Sequence, residues 1–122
     1  MMKFKKMIQL NIGGTVFTTS KTTLETQTSF LSSLINYKTL VDDTYFVDRD
    51  PTYFRYILNH LRGSKYLPNN PSILRELFEE ADFYCLQDLQ RNILSQLESC
   101  QHVGCIELEL HLLRQKIDLM HN

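Results

Sequence analysis

Apolar and polar residues alternate near the start of the chain: Ile8, Leu10 and Ile12 are separated by Gln9 and Asn11, the period of a strand with one buried face. Gly13-Gly14 follows at once, and Val16-Phe17-Thr18-Thr19 reads as a second strand. A two-residue Gly-Gly link between such runs predicts a β-hairpin, because both positions tolerate positive φ. Thr22-Thr23-Leu24-Glu25 has capping-box spacing and predicts a short helix starting there. Ser29 precedes a helical stretch in which Leu31, Leu34 and Ile35 share a face; residues 36–43 then read as a loop, and Tyr45-Phe46-Val47 as a third strand.

Two later helices carry matching start signals, Asp50-Pro51 and Asn70-Pro71, in which a capping side chain precedes a proline that gives up a donor needing no partner. In the first, Phe54, Ile57, Leu58 and Leu61 fall at i, i+3, i+4 and i+7, and Arg62-Gly63 closes the stretch, which predicts a helix over 51–62. In the second, Leu74, Leu77, Phe78 and Ala81 trace an apolar face to about Asp82, and Leu86, Leu89, Ile93 and Leu97 form another. Beyond Gly104, Ile106, Leu110, Leu113, Ile117 and Met120 recur in steps of four and three, a heptad seam just over two heptads long. Docking of that helix on its own domain and pairing between copies both remain open. The order of elements predicts an α+β domain, a small and mostly N-terminal sheet covered by a helical cluster, with a C-terminal helix. The divisions expected are an N-terminal tail over 1–7, one domain over 8–98 and a helical tail over 99–122, without repeats or low-complexity tracts.

The length of 122 residues, with 43% hydrophobic and 22% charged, suits one globular core. A formal net charge of -1 provides no general attraction for nucleic acid or an anionic membrane, and Lys3-Phe4-Lys5-Lys6 reads as a solvated tail. The odd cysteine count (Cys85, Cys100, Cys105) and the lack of a leader-like apolar run argue against a disulfide framework and for reduced thiols in the cytoplasm. No apolar stretch approaches the roughly 18 residues that a membrane span needs, so no membrane insertion is expected.

Three blocks stand in order: Leu10-Asn11-Ile12-Gly13-Gly14 with Phe17; Tyr45-Phe46-Val47-Asp48-Arg49-Asp50-Pro51 with Phe54; and Ile57-Leu58 through Leu67-Pro68 to Glu80-Ala81-Asp82-Phe83-Tyr84. Together they resemble the BTB/POZ tetramerisation domain, in the form shared by voltage-gated potassium channel N-termini and the KCTD (potassium channel tetramerisation domain-containing) proteins. The resemblance implies self-association into a closed ring, a homotetramer or homopentamer, with Asn11, Gly13, Asp48, Arg49 and Asp50 at or near the contact between subunits. For Gly13 and Asp50 a turn and a helix cap are sufficient local reasons. Asp48-Arg49-Asp50, however, offers both charge signs to a rotated copy. The zinc motif of many channel domains is missing, since His60 has no cysteine shortly after it and Cys85 stands alone, so the chain looks more like the zinc-free KCTD type. With no membrane span following, it is not expected to be a channel subunit.

Other chemistry is weaker. Cys100, His102 and Cys105 lie close together but match no common closed zinc spacing, so no metal is expected. Gly13-Gly14-Thr15 is followed by a strand and lacks the lysine of a phosphate loop, and Asp42, Asp43, Asp48 and Asp50 have no nucleophile and base arranged beside them. His60 and His111 sit within helical patterns, and the phenylalanines read as core. The expectation is therefore a non-enzymatic interaction module without cofactors. It would act as an adaptor, with a cullin scaffold docking on Tyr37, Leu40 and Val41 of the 36–43 loop, or as a structural or regulatory oligomer that assembles with related BTB proteins. Only about 24 residues follow position 98, whereas an adaptor ordinarily carries a second region, which counts against the adaptor reading without displacing it.

Overall fold

A computed structural model describes residues 6–37, 44–99 and 113–117. The chain divides into two compact units, Met1–Lys65 and Tyr66–Asn122.

The first unit is built on a three-stranded sheet in the order β2-β1-β3. Strands β1 (Met7–Ile12) and β2 (Thr15–Ser20) form the predicted hairpin, with Ile12 opposite Thr15 and Met7 opposite Ser20. Gly13 and Gly14 make the turn with φ of 57° and 106°, the pair of positive values that matches the twist of the flanking strands. Strand β3 (Thr44–Val47) lies parallel to β1, Gln9 opposite Thr44 and Ile12 opposite Val47. A parallel partner needs a crossover connection, and this one carries two helices, α1 (Lys21–Leu24) and α2 (Phe30–Tyr37).

Three local expectations need correction. Ser20, rather than Thr22, caps α1: its extended backbone ends the hairpin and its Oγ accepts from Thr23 N. Glu25 is therefore two residues too late to reach back, and it closes the four-residue helix instead. At α2, Ser29 and Ser32 exchange side-chain bonds with each other's backbone N–H at 2.9 and 3.2 Å, a capping box in which serine replaces the usual carboxylate. The helix then runs through Asn36 to Tyr37, into the expected loop. Helix α3 (Phe54–Leu61) begins three residues later than predicted. Asp50 turns its carboxylate to the N–H and hydroxyl of Thr52, and Phe54 N donates to Pro51 O, so residues 51–54 make a separate turn before the helix. The apolar face of α3 is as the spacing indicates: Phe54, Ile57, Leu58 and Leu61 are buried. Phe17 of β2 meets Phe54 at 4.9 Å between ring centroids, and Arg62 donates to Thr18 O on the β2 edge.

The second unit contains α4 (Pro71–Phe83), capped by Asn70 Oδ1 on Ile73 N as expected, and α5 (Gln87–Ser99). Leu74, Leu77, Phe78 and Ala81 of α4 are fully buried, with Leu89, Ile93, Leu94 and Leu97 of α5 buried as well. Gln90 is also fully buried, and neither its Nε2 nor its Oε1 meets a partner among the described residues.

Candidate interaction surfaces

Strand alternation gives the sheet two unlike faces. Ile8, Leu10, Ile12, Tyr45 and Val47 are buried on one, whereas the residues between them point outward. Across that outer face the register sets Val16, Asn11 and Phe46 side by side on β2, β1 and β3. Val16 is 52% and Phe46 61% exposed, and Met7 further along β1 is 55% exposed. Scattered exposed apolar residues are ordinary; here two of them, Val16 and Phe46, flank Asn11 across the three strands. Sequence reading names Asn11 on this face and neither of its two neighbours. The available signal was the period-2 pattern, which makes Phe46 face opposite to Tyr45 and Val47.

Of the five residues expected at a subunit contact, Gly13 and Arg49 meet at one end of this sheet. The register pairs Asn11 with Phe46 and Ile12 with Val47, which brings Gly13 up to the 49–51 segment that follows β3. Asn11 Oδ1 accepts from Gly14 N at 2.7 Å, which pins the turn. Gly13 N donates to Val47 O at 2.9 Å, and a Cβ on Gly13 would lie 2.3 Å from Arg49 O. Glycine at 13 is thus demanded by the close approach of two segments of this chain, whatever else meets it. The Asp50 carboxyl is held below its usual value, first by the Thr52 hydroxyl and then by the Thr52 N–H. Asp48 is exposed and Arg49 half-buried.

Tyr37 ends α2 and is 89% exposed, while Leu40 and Val41 lie outside the described residues. Of the heptad seam, Ile106, Leu110 and Met120 also lie outside, Leu113 is half-buried and Ile117 is buried. Residues 113–117 form a short helical turn in the second unit. Lys116 Nζ bonds Glu79 at 2.9 Å and lies 3.3 Å from Asp82, both on α4, and it stands 5.9 Å from the Phe78 ring centroid. Arg114 pairs with Glu98 of α5. The Lys116 pKa is raised, mainly by the hydrogen bond to Glu79; partial burial opposes this, and the charges of Glu79 and Asp82 each add a smaller upward effect.

Among the described residues no group of three or more His, Cys, Asp or Glu side chains is placed to hold a metal, and no helix is long and apolar enough to cross a membrane. Cys85 is an exposed free thiol, and His60 Nε2 lies 3.3 Å from Gln27 Nε2. Cys100, His102 and Cys105 lie outside the described residues.

A family model described as the BTB/POZ domain matches residues 8–99. The human BTB/POZ domain-containing protein KCTD17 is 42% identical over 99 residues, covering 76% of this chain and 32% of that protein. The human BTB/POZ domain-containing protein KCTD3 is 44% identical over 111 residues, 87% of this chain and 13% of that protein. A zebrafish (Danio rerio) protein, BTB/POZ domain-containing adapter for CUL3-mediated RhoA degradation protein 1, is 36% identical over 107 residues, 82% of this chain and 32% of that protein. The chain spans a third or less of the length of each of these three relatives.

Proposed function

This chain belongs to the BTB/POZ domain family, in the form shared with the KCTD proteins, and we propose that it is a self-associating protein–protein interaction module that builds a ring of four or five copies and presents a partner protein. The observation that carries this reading is the outer sheet face. Its Val16–Asn11–Phe46 row crosses the three strands, and Phe46 stands two positions before the mixed-charge run Asp48-Arg49-Asp50. A ring contact is heterologous, so each copy must offer an unlike surface to each neighbour. Apolar side chains flanking a polar one, beside a turn carrying both charge signs, supply burial together with an orientation signal.

Light scattering tests the assembly. A mass of four or five chains is expected at tens of micromolar protein in moderate salt. Arg49→Asp and Phe46→Asp should each lower it while leaving the circular dichroism unchanged. Full burial of one such apolar side chain is worth about 1.5–3 kcal/mol, so Phe46→Asp should weaken association by on the order of 10²-fold. A monomer under these conditions would overturn the reading.

The partner reading is narrower. The zebrafish relative carries CUL3-mediated degradation in its name, and we extend to this chain a cullin scaffold as partner, received by Tyr37 together with Leu40 and Val41. Tyr37 is the most exposed of the large apolar side chains described, at 89%. Titration calorimetry with a purified cullin N-terminal domain should show binding, weakened by on the order of 10²-fold in Leu40→Asp/Val41→Asp if two apolar side chains are lost. Absence of heat at high micromolar concentration would leave a module that assembles only with itself or with related BTB proteins.

A further inference from the structure

Helix α3 buries Phe54, Ile57, Leu58 and Leu61, and along the flank beside them Arg55, Asn59 and Arg62 recur at i, i+4 and i+7 with both arginines exposed. Seven residues of helix set the two arginines about 10 Å apart along the axis. The flank borders the edge of the sheet, because Arg62 donates to Thr18 O of β2 at 3.2 Å. It lies across the sheet from the Val16–Asn11–Phe46 row: Phe54 packs on Phe17, and Phe17 points to the opposite face from Val16. The two surfaces can therefore be occupied at the same time.

The charges on this flank are unmatched. From Pro51 to Arg75 the sequence holds Arg55, Arg62, Lys65 and Arg75 and no aspartate or glutamate. Among the described residues, ion pairs join Lys21 to Glu25, Arg91 to Asp88, Arg114 to Glu98, and Lys116 to Glu79 and Asp82, and neither Arg55 nor Arg62 takes part in one. Those acids already have cations of their own, which argues against a second copy as the source of carboxylates here. Uncharged groups hold the two arginines instead. Arg55 stands 5.1 Å from the Tyr56 ring centroid with its Nη2 3.4 Å from the Tyr56 hydroxyl, and Arg62 reaches Asn59 Oδ1 as well as Thr18 O. A guanidinium has five N–H donors, so each keeps donors to spare and an uncompensated charge. Two planar forks positioned in advance suit carboxylates. A net charge of -1 and so few cations fall short of the basic footprint that a nucleic-acid backbone needs, which favours an acidic polypeptide.

We propose that the Arg55–Asn59–Arg62 flank of α3, extended by the exposed Lys65, is a docking site for an acidic segment of a second protein. Two carboxylates of that segment about 10 Å apart, three residues on an extended chain, take the two guanidinium forks. The probe is fluorescein-labelled decaglutamate, followed by anisotropy against the full-length chain at low salt. Saturable binding is expected, weakened at least about tenfold in Arg55→Gln and in Arg62→Gln. Arg55→Lys, which keeps the charge and loses the fork, should fall between wild type and Arg55→Gln. Lys21→Gln removes a cation already paired with Glu25 and should leave binding nearly unchanged. No saturable binding at high micromolar peptide, equal losses in Arg55→Gln and Lys21→Gln, or equally tight binding of an oligothymidylate of the same length would overturn the proposal. Arg62→Gln also gives up the Thr18 contact; should it lose circular dichroism, Arg55→Gln, which touches only Tyr56, decides the outcome. Assembly mass, read in the same samples, separates this site from the ring. Unchanged mass with weakened peptide binding is expected of the arginine variants, whereas a fall in mass would place the flank between subunits and overturn a separate partner. A wild-type monomer that still binds the peptide would remove the ring alone.

Discussion

Two helices end on the same hydrogen-bond pattern with different residues at the left-handed position. After α3, Ser64 N donates to Asn59 O and Gly63 N to His60 O, with Gly63 at φ 96°. After α4, Leu86 N donates to Ala81 O and Cys85 N to Asp82 O, with Cys85 at φ 61°. Ala81 and Leu86, the two positions at which such an end places its apolar contact, are both fully buried. The left-handed conformation costs a side-chain-bearing residue about 1–2 kcal/mol, and the packing of Leu86 holds Cys85 there. Cys85→Gly should therefore raise stability by about 1 kcal/mol in a denaturant titration, whereas Cys85→Ala, which keeps the Cβ, should leave it nearly unchanged. A gain from Ala would point to the thiol instead. Gly13 is the opposite case, combining positive φ with a Cβ position 2.3 Å from Arg49 O. Gly13→Ala should cost more than about 2 kcal/mol, and clearly more than Gly14→Ala, whose Cβ meets nothing within 4 Å.

At the scale of elements, α5 carries one internal conflict. Gln90 lies among Leu89, Ile93, Leu94 and Leu97 with its amide unsatisfied among the described residues. A buried amide without partners costs about 1–3 kcal/mol, so Gln90→Leu, similar in length, should stabilise the fold by about 1 kcal/mol or more in thermal or chemical unfolding. The 113–117 turn shows a pH dependence of definite sign. The Lys116 pKa is raised above the ordinary 10.5, so its contribution is fully present below that value and is lost as pH rises through the higher value of the folded chain. The Ile117 methyl resonance should move toward its exposed position over that alkaline range and with added salt at neutral pH. In Lys116→Met both dependences should be flattened.

For the whole molecule, proposed self-association couples stability to concentration. A state that assembles only when folded gains stability by mass action, so the melting temperature should rise with protein concentration through the micromolar range. Phe46→Asp should abolish that rise without altering the melting temperature at the lowest concentrations, because Phe46 is 61% exposed in the single chain. An equal loss at every concentration would mean that Phe46 supports the fold itself and would remove the outer sheet face as the contact.

Much of this molecule was legible one turn at a time. The hairpin, the Asn70 cap, the buried faces of α3, α4 and α5 and the Gly63 end all rest on bonds and periodicities within a few positions, and residue types report such short-range geometry directly. The misplaced starts of α1 and α3 mark its limit: Ser20 at the hairpin end, rather than Thr22, caps α1, and Asp50 holds the turn before α3 while Tyr53 opens that helix with no side-chain cap. Three features depended on contacts more than thirty positions apart: the parallel seat of β3 on β1, the row that sets Phe46 beside Asn11, and the approach of Arg49 O to Gly13. The left-handed Cys85 belongs with them, because nothing in a cysteine signals that conformation; the buried seat of Leu86 imposes it. Local propensity determined which segments would form, and only the closure of the chain on itself decided which of their faces remained open.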